Sequence, residues 1–163
     1  MIDITRGGRE LLDEIRPLWL ALRDHHHEVV PDFGSVRADD ESWGRRRAQY
    51  ERWLADEGSF FLLARRDGRA IGYAFVWTEA IESATWRRDG VSGVLETLSL
   101  LPEARGSGLG ARLVAMVREE VAQRGYGELA VTAVARNHDA IRFYEREGFT
   151  PAFLTFVSAP TPD

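Results

Sequence analysis

Apolar positions along the chain alternate between two periods, and the switches between them outline the fold. Leu11, Leu12, Ile15, Leu18, Trp19 and Leu22 recur at helical spacing, which predicts a first helix over Arg9 to Asp24, kinked or split by Pro17. A second helix capped by Asp39 or Asp40 carries Trp43, Arg47, Tyr50 and Leu54 on one stripe and ends by Gly58. Leu109, Leu113, Val117 and Val121 give a third, from Gly108 to Gly125, and Asn137 to Glu147 a fourth, closed by Gly148. Strand signals fall between them. Ile2 to Thr5 is short and β-prone, and Phe60–Arg65 and Ala70–Thr78 flank an Asp67-Gly68 hairpin turn. Val94 to Leu101 is an apolar run stopped by Pro102, with Leu129–Val134 and Ala152–Ser158 as later strands. Residues His25–Asp39 and Glu79–Ser92 read as long polar loops, and the latter length is of the kind that carries function. The order β-α-α-β-β-β-α-β-α-β is that of an α/β domain with a mixed sheet, antiparallel first and with a crossover helix later.

Composition narrows the chemistry. The 163 residues suit one domain, assigned to 1–158 with a short frayed tail at 159–163, and 44% hydrophobic with 29% charged content is ordinary globular usage. No apolar run approaches a bilayer span and no basic-then-apolar leader pattern appears, so a cytoplasmic location is expected. With 0 cysteines, disulfides, thiolate metal sites and a cysteine acyl-enzyme are excluded. The 21 basic residues are all arginine, so Schiff-base chemistry is excluded as well. A net charge of -5 argues against nucleic acid and favours a cationic partner.

One stretch carries the strongest chemical signal. The strand ending at Leu101 tightens into Arg105-Gly106-Ser107-Gly108-Leu109-Gly110 and opens a helix. Free N–H groups of a first helical turn converge there, and the helix dipole adds about half a positive charge, which makes an anion site. Glycines allow unusual φ and close approach of a phosphate. The spacing G-x-G-x-G differs from the dinucleotide fingerprint, and a P-loop needs the lysine this chain lacks.

R-x-x-G-x-G after a strand resembles the pyrophosphate loop of the GNAT superfamily of acetyl-CoA-dependent N-acetyltransferases. Downstream, Asn137-His138-Asp139-Ala140-Ile141-Arg142-Phe143-Tyr144-Glu145-Arg146-Glu147-Gly148-Phe149 is similar to that family's N-x-x-A-x-x-F-Y-x-x-x-G-F segment. The resemblance, spanning about Val94 to Phe149, implies the GNAT fold: an α/β domain with a single mixed β-sheet, its central parallel strands splayed and flanked by helices. The strands holding Leu98 and Val131 would part, and the pantetheine arm of the co-substrate would lie between them as a false strand. Unpaired backbone groups in such a wedge need an amide-bearing partner.

Residue roles follow from the same resemblance. Backbone groups of Leu98 and Leu100 would hold the pantetheine, and Arg105, Gly106, Ser107, Gly108, Leu109, Gly110 and Ala111 the pyrophosphate. The N–H near Leu98 or Ser99 would face the thioester oxygen as an oxyanion donor. Glu96 would take the proton of the acceptor ammonium, whose free pKa lies near 10, and is expected on the same strand face as Leu98 and Leu100. Its other reading is a partner for an arginine. Asn137 would hold the pantetheine arm, cap the last helix, or both. Tyr144 would protonate the leaving sulfur, against the reading of a core aromatic. Many relatives carry a larger residue where this chain has Ser99, which leaves that sheet contact open.

The acceptor side is less legible. An amine-bearing acceptor, small and cationic, suits the acids and aromatics of the loops, and a homodimer is compatible; neither nucleic acid, membrane nor metal is expected. Consecutive histidines His25, His26 and His27 point about 100° apart on a helix and cannot all ligate one ion, so they read as a polar helix end or an acceptor contact. Arg45, Arg46 and Arg47 read as a solvated face or a phosphate contact. The competing function is a non-catalytic acyl-CoA-binding module of the same fold.

Overall fold

The computed structural model describes residues 1–158, so the expected frayed tail lies outside the described residues. Five strands, β1 (Ile2–Gly7), β2 (Phe60–Arg66), β3 (Arg69–Ala80), β4 (Val91–Leu100) and β5 (Glu128–Val131), form one sheet in the order β1-β2-β3-β4-β5. The first three pairings are antiparallel and β4–β5 is parallel, as expected of a mixed sheet with a crossover through α3 (Leu109–Gln123). Helices α1 (Leu12–Val29) and α2 (Asp39–Trp53) precede β2, and α4 (His138–Arg146) follows β5.

Each sheet face has its own core. On one, Phe60, Leu62, Ile71, Val76 and Leu95 meet the α3 stripe Leu109, Leu113, Val117 and Val121, all buried. On the other, Phe61, Leu63, Tyr73 and Phe75 meet Leu12, Ile15 and Leu18 of α1 and Trp43 and Tyr50 of α2. Full burial of such side chains contributes about 1.5–3 kcal/mol each. The second face also buries polar groups and satisfies them: the Tyr50 hydroxyl bonds that of Tyr73 at 3.0 Å and Thr97 Oγ1 at 2.9 Å. The hairpin turn holds Asp67 at φ 52 and Gly68 at φ 80, the two left-handed positions of a type I′ turn.

Several boundaries differ from the sequence expectation. Helix α1 passes through Pro17 without a break and absorbs His25–His27, leaving the linker to begin at Val30. Pro17 lies inside the helix and forgoes its bond to the Asp13 carbonyl, yet the helix continues on both sides of it, and no breaker stands between Asp24 and Pro31. Ala38, not an aspartate, occupies the N-cap of α2; Asp39, Asp40 and Glu41 fill its first turn and complement the helix dipole. Strands β3 and β4 extend further than expected, which shortens the loop between them to Ile81–Gly90, and β5 ends at Val131 instead of Val134. Ala152–Ser158 forms no strand. No helix among the described residues is long and apolar enough to cross a membrane.

Candidate active site

The site begins where the sheet comes apart. β5 pairs with β4 from Ser92↔Glu128 to Leu95↔Val131, and there the ladder stops, while β4 runs on to Leu100. Antiparallel pairing to β3 continues on the other side, up to Gly72↔Leu100. The backbone of Glu96–Leu100 therefore faces a wedge on its β5 side, where unpaired amides and carbonyls need a partner.

Beyond the wedge the chain turns through Pro102–Ala104 into the glycine loop. Gly106 sits at φ 70 and Gly108, the N-cap of α3, at φ 81, a left-handed conformation that other residues adopt at a cost. A Cβ at either glycine would meet no atom within 4 Å, so conformation demands glycine and the space beside the loop is free. Ser107 Oγ donates to the Ala104 carbonyl at 2.7 Å and closes the turn. The first ordinary helical bond is Arg112 N–H to the Gly108 carbonyl, so the amides just before it have no helical acceptor. No acidic side chain lies in the first turn of α3 to oppose an anion.

Wedge and loop open into one groove of about 470 Å³. It is lined by Leu98, Ser99 and Leu100 of β4, by Arg105, Gly106, Gly108, Gly110 and Ala111, and by Asn137 and Tyr144. Of the residues expected at the co-substrate, Ser107 and Leu109 do not line it: Ser107 turns inward to Ala104, and Leu109 is buried in the α3 core. Both leave only backbone N–H groups for a ligand. Leu22 and His25 of α1 join the lining, because α1 continues through the histidines. Arg105 lies back over the strand, its Nε donating to the Leu100 carbonyl at 3.2 Å.

Asn137 caps α4, its Oδ1 accepting from the Ala140 N–H at 3.2 Å, so its amide NH₂ remains for the groove. Tyr144 stands between Phe143 and Phe149, with ring centroids 5.3 Å and 5.5 Å away. Burial pushes its phenol up to about 12, so it carries its proton throughout the neutral range. Ser99 Oγ donates to the Leu18 carbonyl of α1 at 3.1 Å, which accounts for a small polar residue there: it ties β4 to α1.

Glu96 departs from expectation in a specific way. Phe75 pairs with Thr97 but Val76 pairs with Leu95, so Glu96 is the extra residue of a β-bulge. The bulge resets the alternation of β4. Leu98 and Leu100 pack toward the α3 core, whereas Glu96 lies on the α1–α2 face with Thr97. There Arg46 Nη1 donates to Glu96 Oε1 at 3.1 Å and Trp77 Nε1 to Oε2 at 3.0 Å. The Arg46 guanidinium is enclosed by the rings of Trp19, Tyr50 and Trp53 at 5.5, 5.3 and 5.8 Å. Arg46 is thus no solvated residue: its side chain is 20% exposed, against 65% for Arg45. The spacing Trp43, Arg46, Tyr50, Trp53 at i, i+3, i+7, i+10 was the available signal for this second stripe. His26, near Arg46, is held below the usual histidine range by burial first, then by His25 and Arg46, which favours its neutral form. Among the described residues no three His, Asp or Glu side chains gather as a metal site.

The model of the acetyltransferase (GNAT) family matches residues 19–149, and the chain belongs to that family. The mycothiol acetyltransferase of Thermobispora bispora is 33% identical over 132 residues, 81% of this chain and 42% of that one. The aminoalkylphosphonate N-acetyltransferase of Salmonella typhimurium is 30% identical over 107 residues, 65% of this chain and 66% of that one. The chain spans less than half the length of the mycothiol acetyltransferase that it matches. Among solved structures, the aminoglycoside N-acetyltransferase AAC(6')-Iy in complex with CoA superposes with a TM-score of 0.71 at 21% identity, covering 99% of this chain and 96% of that one. A tetramutant of a Bacillus halodurans protein, BH1408, reaches a TM-score of 0.80 at 14% identity over 96% of this chain and 99% of that one.

Proposed function

We propose that the chain transfers an acetyl group from acetyl-CoA directly to a primary amine of a small molecule or peptide. The observation that carries this reading is the continuity of the groove: an open strand edge, Glu96–Leu100, leads into the unpaired amides at the start of α3. Such a surface fits a long ligand with amides at one end and a pyrophosphate at the other. The positive-φ glycines with free space beside them fit the phosphates in particular. Relatives named as acetyltransferases support the same class.

Acetyl-CoA, when bound, supplies an activated thioester; everything else is the protein's part. Backbone amides from Gly106 to Ala111 would hold the pyrophosphate. The Leu98 and Leu100 backbones and the Asn137 amide would hold the pantetheine, and Leu100 becomes available once Arg105 swings from its carbonyl to the phosphates. The N–H of Leu98 or Ser99, fixed by the β3–β4 ladder, would face the developing oxyanion. Glu96, on the α1–α2 face, would accept the proton of an ammonium arriving from that side. Arg46 and Trp77 aim its two oxygens, and Tyr144 would donate its proton to sulfur on the other side. The acceptor thus meets Arg46 as well as Glu96, so a cationic acceptor shares the carboxylate with an existing guanidinium. Measuring CoA release across a panel of amines tests the reading. Binding of acetyl-CoA with no turnover on any amine would instead support an acyl-CoA-binding module.

A further inference from the structure

Arg46 has donors to spare. Its Nη1 holds Glu96 at 3.1 Å, its Nε is buried without a partner, and its Nη2 donates to no group among the described residues. Unlike Nε, Nη2 is not sealed from solvent, and the side chain keeps a fifth of its surface exposed. Glu96 is in the complementary position. Each of its oxygens accepts one bond, from Arg46 or from Trp77, and each has a second lone pair left. A free donor edge and a carboxylate thus stand side by side on the α1–α2 face, beside the partly exposed rings of Trp19, Trp53 and Trp77.

The charges of the pair sum to zero. A plain ammonium compound must share the one carboxylate with Arg46, and it leaves Nη2 without a partner in a site from which it has displaced water. A second ammonium fares no better on the neighbouring helices, where Asp13, Asp39, Asp40 and Glu51 are each already bridged to an arginine. His26 is held toward its neutral form by burial, His25 and Arg46, so it adds no second cation. Given the proposed transfer to an amine, on which this rests, we propose that the acceptor is an amino acid. Its ammonium goes to Glu96 and its carboxylate, two or three bonds away, to Arg46 Nη2. Four charges then alternate, each beside two of opposite sign, and a single negative charge on the ligand keeps the total at zero. A phosphonate dianion does not. The tryptophan rings favour an apolar side chain on the ligand. Transfer makes the amide C–N bond and breaks the C–S bond, with one amine proton leaving to the thiol and one through Glu96 to solvent. The N-acetyl product has lost its ammonium and meets the pair with a net charge of about -1, which favours its release.

Matched acceptors test this on the wild-type chain: L-phenylalanine, its carboxamide and phenethylamine, then L-alanine, ethylamine and 1-aminoethylphosphonate for a smaller body. With acetyl-CoA, each amino acid is expected to exceed its uncharged counterparts in kcat/KM by about 10- to 100-fold, the worth of a hydrogen bond to a charged group. The carboxamide, whose amine is the least basic of its series, controls for protonation. Arg46→Met should bring that ratio close to one, beyond whatever both kinds of acceptor lose together. Plain amines used as well as amino acids would leave the acetyl transfer standing and overturn the proposal. So would a ratio unchanged in Arg46→Met, since Arg46 would then only aim Glu96, and so would a phosphonate that outruns alanine. Calorimetric titration of L-phenylalanine and L-alanine into the chain saturated with CoA gives a reading independent of turnover. Binding to the wild type and not to Arg46→Met, without turnover, would reject the transfer and keep the site that reads the two charges. Neither binding nor turnover of any amino acid overturns it.

Discussion

Arg46 and Glu96 form a partly buried ion pair, Nη1 to Oε1 at 3.1 Å, across the gap between α2 and β4. The pair is ringed by aromatics and completed by Trp77 on the second carboxylate oxygen. It leaves the carboxylate oriented but not hidden, with a quarter of the Glu96 side chain still exposed (25%). As the proposed base, Glu96 would be positioned before the substrate arrives. Arg46→Met, which keeps the stem among the rings and removes the charge, is expected to lower kcat/KM about 10- to 100-fold, the worth of a hydrogen bond to a charged group. The KM for acetyl-CoA should hold, since Arg46 does not line the groove. Steady-state kinetics on both substrates checks this.

Glu96→Gln is expected to cost ~10²–10⁴ in turnover, most at low pH. The base is needed only while the acceptor is an ammonium, so the defect should shrink as the pH approaches the amine's pKa near 10. A pH profile of mutant over wild type reads this directly. A ratio constant with pH, accompanied by a weaker acceptor KM, would make Glu96 a binding residue.

Tyr144→Phe should lower kcat and kcat/KM together with little change in acetyl-CoA affinity, the pattern of a contact made only as charge builds on sulfur. Because burial holds the phenol at about 12, the wild type should show no alkaline loss of activity from this group below about pH 10. Stability carries a linked signature. The unfolded phenol titrates near 10 and the folded one near 12, so above pH 10 the unfolded state has lost a proton that the native state keeps. The stabilisation is complete below pH 10 and is lost as pH rises through that window. Alkaline melting curves of Tyr144→Phe should fall less steeply there; Tyr50 and Tyr73, also raised by burial, retain the rest.

Acetyl-CoA should raise the melting temperature where NADH and ATP do not, by an amount set by RT ln(1 + [L]/Kd), about 2.7 kcal/mol at a hundredfold excess. Gly108→Asp should abolish the shift, since a like charge enters the amide cluster at the start of α3. Gly108→Ala is the control for strain alone: at φ 81 it destabilises the free protein but should keep a measurable shift. Thermal shift with each ligand separates the two effects, and equal stabilisation by NADH would contradict the proposed co-substrate.

Tyr50→Phe removes a hydroxyl that joins Tyr73 to Thr97 in a closed core. Stability should drop by about 1–3 kcal/mol, because buried partners are left unsatisfied. Urea unfolding should show a lower midpoint with an unchanged slope.

The elements were legible where periodicity was long and punctuated. The Asp67-Gly68 hairpin, the α3 stripe and the strand stopped by Pro102 all appear where the pattern places them. The parting of β4 and β5 at Leu95 and Val131 was not in the periodicity at all and came from the family motifs. The helix boundary at Asp24 misled because polar residues suggest a loop, although continuation needs only the absence of a breaker; the reading of His25–His27 as a polar helix end agrees with their place at the end of α1. Ala152–Ser158 misled differently: the alternation and β-branched content signal a strand, but the run pairs with none of the five strands. In the site, backbone-built parts were readable from glycine spacing. The side of the sheet on which Glu96 sits was not, since one extra residue in a strand leaves no mark in composition. Arg46 was hidden in a run of three arginines whose members face different surroundings.

The bulge at Glu96 makes the carboxylate a detachable insertion. Leu95 already pairs with Val76 and Thr97 with Phe75, so excising Glu96 joins two residues whose partners are themselves adjacent. The shortened strand would run as a regular ladder, with Leu95 still toward α3 and Thr97 still toward Tyr50. Deleting this residue should therefore give a folded chain that keeps the groove and loses the proposed base. Gain or loss of this carboxylate is then a change of one codon, made without renegotiating the architecture around it.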